Sequence, residues 1–200
     1  YRRQRQMCIR DRTSIRSLQD LVAAAKANPG KLNFASTASS SDLLAAMLKA
    51  DAGMAFTMIS YGGSAAKVGI ALSNGEADFS FNSITTITPY LSSVRGLMIG
   101  APQRNPQLPD IPTGRELGFP KFENSAFNFG LWAPVGMPKD IQEKLSATAA
   151  AAVKAPEVGE QIRKLGFIPV GSGPEEQLKT FLAEASFWAE AAKLANFEPQ

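Results

Sequence analysis

Leu18, Leu21, Val22 and Ala25 recur at helical spacing, Ser17 and Asp20 frame their start as a capping box, and Asn28-Pro29-Gly30 stops the run. A first helix is therefore predicted. Leu32-Asn33-Phe34-Ala35 then reads as a short strand running into the hydroxyl-rich loop Ser36 to Ser41, after which Leu43, Leu44, Met47 and Leu48 mark a helix ending near Gly53. The cycle repeats with strand Phe56 to Ile59, loop Tyr61 to Ser64, a helix through Val68, Ile70 and Leu72, and a stop at Asn74-Gly75. A third cycle has strand Ala77 to Phe81, the turn Asn82-Ser83, a helix through Ile84, Ile87 and Leu91, and strand Gly96 to Ile99. Strands alternating with helices in this way imply βαβ units and a mostly parallel sheet.

From Ala101 to Phe122 the chain is dense in proline and glycine and reads as a surface excursion with one short helix near Arg115-Glu116. Phe127 to Trp132 alternates like a strand and ends at Ala133-Pro134, a predicted lobe boundary. Beyond it come a helix behind Pro138, a helix from Pro156 to Gly166, a strand over Phe167 to Val170, and a long helix from Pro174 to Leu194 with Leu178, Phe181, Leu182, Ala185 and Trp188 on one stripe. Residues 135–200 offer one strand for three helices, too little sheet for a lobe of their own. They are expected to complete a lobe whose other half is absent, and to leave apolar helix faces partly uncovered.

Charge changes the picture at one end only. The chain carries +3, yet Tyr1 to Arg12 hold five arginines against one aspartate, and the remainder has 16 basic against 17 acidic residues. A basic arm can bind nucleic acid, but no basic face with interleaved aromatics follows. Gln6 to Arg12 instead resembles a translated sequencing adapter, so residues 1–12 are expected to be a non-native or disordered tail. The lone cysteine, Cys8, lies within it, which leaves the body without disulfides or thiolate metal sites. Histidine is absent from the whole chain, which removes Ser-His-Asp and Cys-His nucleophilic sites and the usual zinc centres. No apolar run approaches the ~18 residues of a spanning helix, and no secretion signal is visible.

In open parallel sheets, ligands meet the carboxyl ends of strands, where loops lead into helix N-termini. Three loops qualify, with Ser36, Thr37, Ser39, Ser40 and Ser41 in the first, Tyr61, Gly62, Gly63 and Ser64 in the second, and Asn82 and Ser83 in the third. Their small hydroxyl, amide and glycine residues let backbone N–H groups approach a ligand, and helix N-termini favour an anion. Each neutral hydrogen bond contributes about 1 kcal/mol net, and bonds to a charged group about 1.5–3, so a few can hold a carboxylate without arginine. The same runs also serve as plain caps and turns. Asp42 reads as an N-cap rather than an acid catalyst, Lys67 as an exposed lysine or an anion attractor, and Asp78 as a loop-orienting or solvent-facing carboxylate. No carboxylate pair stands out as an acid/base couple, and Ser39 has no histidine to activate it.

Ala27 to Ser36, Tyr61-Gly62-Gly63-Ser64-Ala65, Gly75-Glu76-Ala77-Asp78, Leu108 to Thr113 and Gly130 to Pro138, in that order and spacing over residues 14–198, resemble the tripartite tricarboxylate transporter substrate-binding family, also called the Bug receptors. The resemblance implies an α/β, type II periplasmic-binding-protein fold, with residues 13–133 as one complete parallel-sheet lobe and 134–200 as the C-terminal part of the second. It implies a receptor, not an enzyme, that captures a di- or tricarboxylate or aromatic acid in the periplasm and passes it to membrane permease subunits. The receptor is expected to act as a monomer, without cofactor, metal or nucleic acid, its signal peptide missing from this chain. Ser36, Tyr61, Gly63 and Ser64 match the family residue by residue. The chain departs from it at Ser36 to Leu44, where the family tends towards Ser-x-Gly-x-Gly-Ser before His-Leu, at Gly62 where lysine is common, at Ala66 where proline is common, and at Asn82 where aspartate is frequent. Two readings from other classes are the effector domain of a transcription regulator, which an upstream helix-turn-helix would mark, and an enzyme on the same scaffold, which turnover of a bound acid would mark.

Overall fold

The computed structural model describes residues 2–10, 13–37 and 39–196, the side chains of residues 2, 3 and 39 excepted. Its centre is a five-stranded sheet of β2 (Arg5–Arg10), β3 (Asn33–Ser36), β4 (Thr57–Ser60), β5 (Phe79–Ser83) and β6 (Val94–Gly100), in the order β4-β3-β5-β2-β6. β3 pairs in parallel with β4 and β5, while β2 runs antiparallel to β5 and β6 on either side of it. The sheet is thus parallel but for one inserted strand, as the alternation of elements predicts.

That inserted strand corrects the reading of the first twelve residues. Arg5–Arg10 is neither peripheral nor disordered: Met7, Cys8 and Ile9 are wholly buried, and the strand has a ladder on both sides. The arginine count obscured a period-two pattern in which Met7 and Ile9 face one side of the sheet and Cys8 the other. Tyr1, Asp11 and Arg12 lie outside the described residues. Arg2–Arg3 form β1, which pairs with β7 (Phe127–Asn128).

Helices cover both faces. On one side α1 (Leu18–Ala27), α2 (Ser39–Ala52) and the end of α7 (Pro174–Leu194) bury Leu18, Leu21, Leu44, Met47, Leu48 and Phe187 against Phe34, Phe79 and Phe81. Phe34, Phe56 and Phe79 meet there at centroid distances of 5.0–5.7 Å. On the other side α3 (Ala65–Asn74) and α4 (Ile84–Ile87) pack Val68, Ala71, Leu72 and Ile87 over Cys8 and Ala35.

Local signals account for most boundaries. Ser17 and Asp20 form the predicted capping box, and Ser64 caps α3 by accepting the Lys67 N–H. Gly75 closes α3 at φ 81°, where its N–H reaches Ala71 and Leu72 carbonyls. The helix expected through Leu91 is split: Pro89 follows α4 and the chain tightens into a 3-10 turn over Thr88–Tyr90.

The second half departs further from expectation. The strand read over residues 127–132 keeps only β7, and the one over 167–170 shrinks to a single bridge position at Ile168. Alternating side chains do not make a strand without a ladder along their length. α5 (Lys139–Lys154) and α6 (Pro156–Lys164) contact each other, and Ile141, Leu145, Leu178, Phe181 and Leu182 remain exposed on α5 and the first half of α7. The last turns of α7, in contrast, belong to the sheet core through Phe187 and Ala191.

Candidate functional site

β3, β4 and β5 end at Ser36, Ser60 and Ser83, so the three predicted loops emerge at one edge of the sheet. β2 enters at this edge because it runs the other way: Arg5 lies opposite Ser83. The Arg5 guanidinium stands 4.4 Å from the Phe127 ring centroid and 5.8 Å from that of Trp188, and its Nη2 donates to Ser40 Oγ at 2.9 Å. Reading residues 1–12 as a tail hid this side chain. The signal that could have found it was the Met7–Ile9 alternation.

The first loop is shorter than its sequence suggests. α2 begins at Ser39, so Ser39, Ser40 and Ser41 occupy its first turn, and Asp42 is a first-turn residue rather than the N-cap. Ala38 and the Ser39 side chain lie outside what is described. Residues read as part of a loop are here absorbed into the helix, where Asp42 provides an acceptor for the Ser41 hydroxyl. Ser36 Oγ donates to Asp42 Oδ1, Ser41 Oγ donates to the same atom at 3.4 Å, and the Thr37 N–H donates to Ser41 Oγ at 2.9 Å. Ser36 and Ser41 are buried, whereas Thr37 and Ser40 are half-buried.

The second loop abuts the first. The Tyr61 N–H donates to the Ser36 carbonyl at 3.0 Å, and a Cβ on Gly63 would come within 3.4 Å of the Thr37 carbonyl. Gly62 and Gly63 take φ of 59° and 78°, a consecutive left-handed pair that glycine adopts without strain. Both are exposed, and the Gly62 N–H leans on Ser60 Oγ at 3.4 Å. Burial, with help from Glu76, raises the Tyr61 hydroxyl above its ordinary range, so near neutral pH it is a donor.

The third pair divides. Ser83 sits at the edge, its hydroxyl 2.8 Å from that of Thr85 and 3.1 Å from that of Thr86. Asn82 points into the sheet instead, buried, its Nδ2 donating to Ser80 Oγ at 3.0 Å. Successive strand residues face opposite ways, so the two cannot serve one site equally. Away from the edge, Asp78 accepts the Asn33 N–H at 2.8 Å and lies 3.6 Å from Arg10, which ties the start of β3 to the end of β2. Lys67 is exposed.

What converges is a rim of hydroxyls, turn amides and the N-termini of α2 and α3, with the Asp42 carboxylate in the first turn of α2. Among the described residues no group of histidine, cysteine or carboxylate side chains could hold a metal, and no helix is long and apolar enough to cross a membrane.

The family model described as "Tripartite tricarboxylate transporter family receptor" matches residues 3–191. A protein of Pseudomonas sp. (strain P51), "UPF0065 protein in tcbD-tcbE intergenic region", is 35% identical over 86% of this chain and 52% of its own length. The chain spans about half the length of the curated relatives it matches. Among solved structures, "R. palustris Rpa4515 with adipate" superposes with a TM-score of 0.80 at 26% identity, covering 100% of this chain and 67% of that one. "Structure of periplasmic binding protein BugD" does so with a TM-score of 0.73 at 28% identity, covering 100% and 68%. The family is one of transporter receptors, and one of these neighbours is named a periplasmic binding protein.

Proposed function

Because this chain belongs to the tripartite tricarboxylate transporter receptor family, we propose that it supplies one wall of a periplasmic solute-binding site that captures a small organic carboxylate and presents it to membrane permease subunits. The observation that supports this reading is the meeting of two loops and two helix N-termini at one edge of one sheet, with the exposed Gly62-Gly63 backbone between them. Adipate in one related structure is a ligand of the same chemistry. In this reading Thr37, Tyr61, Gly62, Gly63 and the hydroxyl of Ser83 face the ligand, and a second lobe, to which α5, α6 and the first half of α7 contribute, closes over it. Ligand contacts made only in the closed form favour closure. Asn82 is set apart from the grip in this reading, since its Nδ2 donates to Ser80 Oγ on its own strand.

Thermal melting of the protein against a panel of small organic acids tests this. A ligand present at 100 times its Kd adds about 2.7 kcal/mol, a shift of several degrees for a chain of this size. A flat response across aliphatic, hydroxylated and aromatic acids overturns the proposal.

A further inference from the structure

Resting on the carboxylate-binding reading, we propose that Asp42 sets which ligand charge the site accepts: the side of the site made by β3 and α2 takes a hydrogen-bond donor of the ligand, not a second carboxylate. A loop free to hold an anion here would offer the Ser36 and Ser41 hydroxyls and the Thr37 N–H. All three are engaged, two on Asp42 Oδ1 and one on Ser41 Oγ. The seat at the start of α2 is thus filled by the protein's own carboxylate. Asp42 is half-buried, and among the described residues its Oδ2 accepts no hydrogen bond. The nearby cation does not occupy it, because Arg5 bonds Ser40 and stacks on Phe127. A ligand carboxylate brought to this place meets a fixed like charge and donors already committed, whereas a hydroxyl, carboxamide or ammonium group meets a ready acceptor. Across the rim the exposed Gly62-Gly63 turn remains suited to a carboxylate. The ligand class that fits both sides is an acid with one carboxylate and a donor group at its far end.

An aspartate in a first turn also stabilises its helix, and that role alone would weaken every ligand alike. The discriminating measurement is therefore a ratio, taken by calorimetry of the protein with succinate, glutarate and adipate, each beside its monoamide. The wild type binds the monoamides more tightly than the dianions, and Asp42→Asn, which keeps the shape and loses the charge, shifts the ratio about tenfold towards the dianions. Tighter or equal binding of the dianions by the wild type overturns the assignment of Asp42, and it does so even where the Asn variant fails to fold. An unmoved ratio in a folded variant overturns it as well. Absence of binding by all six acids removes the carboxylate reading itself, and this inference with it.

Discussion

Gln6 sits wholly buried on β2, between β5 and β6, enclosed by Gly96 and Ile111, and neither atom of its carboxamide is hydrogen-bonded. A buried polar group without partners costs about 1–3 kcal/mol. Gln6→Met removes both polar atoms at nearly constant volume, so it is expected to raise stability by that order and to move the thermal midpoint up by a few degrees. An unchanged or lower midpoint would show that the amide finds partners in solution. The Met7–Ile9 alternation was a signal that the tail reading passed over, and the partnerless amide left no signal in the sequence. Which side chain a buried carboxamide faces depends on Ile111, more than a hundred residues away.

At the scale of elements, the proline-rich excursion packs Leu108, Ile111, Leu117 and Phe119 against the core and adds a charged clasp. Glu116 accepts the Thr113 N–H at 2.7 Å and forms a forked pair with Arg104, whose Nε and Nη2 lie 2.8–3.1 Å from its oxygens. Arg104 first, then the Thr113 backbone, lowers the Glu116 carboxyl from 4.5 to about 2. A lowered folded-state value means that this contribution is fully present above about 4.5 and is lost as pH falls towards 2. Melts between pH 7 and 2 should show the wild type losing stability over that window, and Glu116→Gln, with nothing there to protonate, losing less. Parallel acid limbs would contradict this. The excursion itself was plain from its prolines. Its clasp was not, because twelve residues separate Arg104 from Glu116 and no local pattern joins them.

Across the whole molecule, one half has a closed core and the other does not. The sheet buries both faces, yet Leu131, Trp132, Ile141, Leu145, Phe181 and Leu182 stay exposed, Leu131 at 80% and Trp132 at 64%. Apolar surface gathered in this way drives association. The 200-residue chain by itself is expected to bind a hydrophobic dye and to self-associate. Phe181→Glu with Leu182→Glu should reduce both while leaving the melting midpoint of the sheet nearly unchanged, as surface changes do. A monomer that ignores the dye would show that these residues are covered in solution.

The sequence by itself determined what depends on neighbours a few residues apart. Helix caps at Ser17 and Ser64, the stop at Gly75, the order of strands and helices, and the hydroxyl and glycine loops at strand ends all follow from local hydrogen bonding and period. The absence of histidine likewise set aside whole classes of chemistry. Only the tertiary structure decided that Arg5–Arg10 inserts between β5 and β6, that Asn82 turns inward, and that the Ser36 and Ser41 hydroxyls serve Asp42. These outcomes rest on which strand lies beside which and which face is already occupied. Such pairings join residues distant in the chain, and their energies exist only once the sheet has formed.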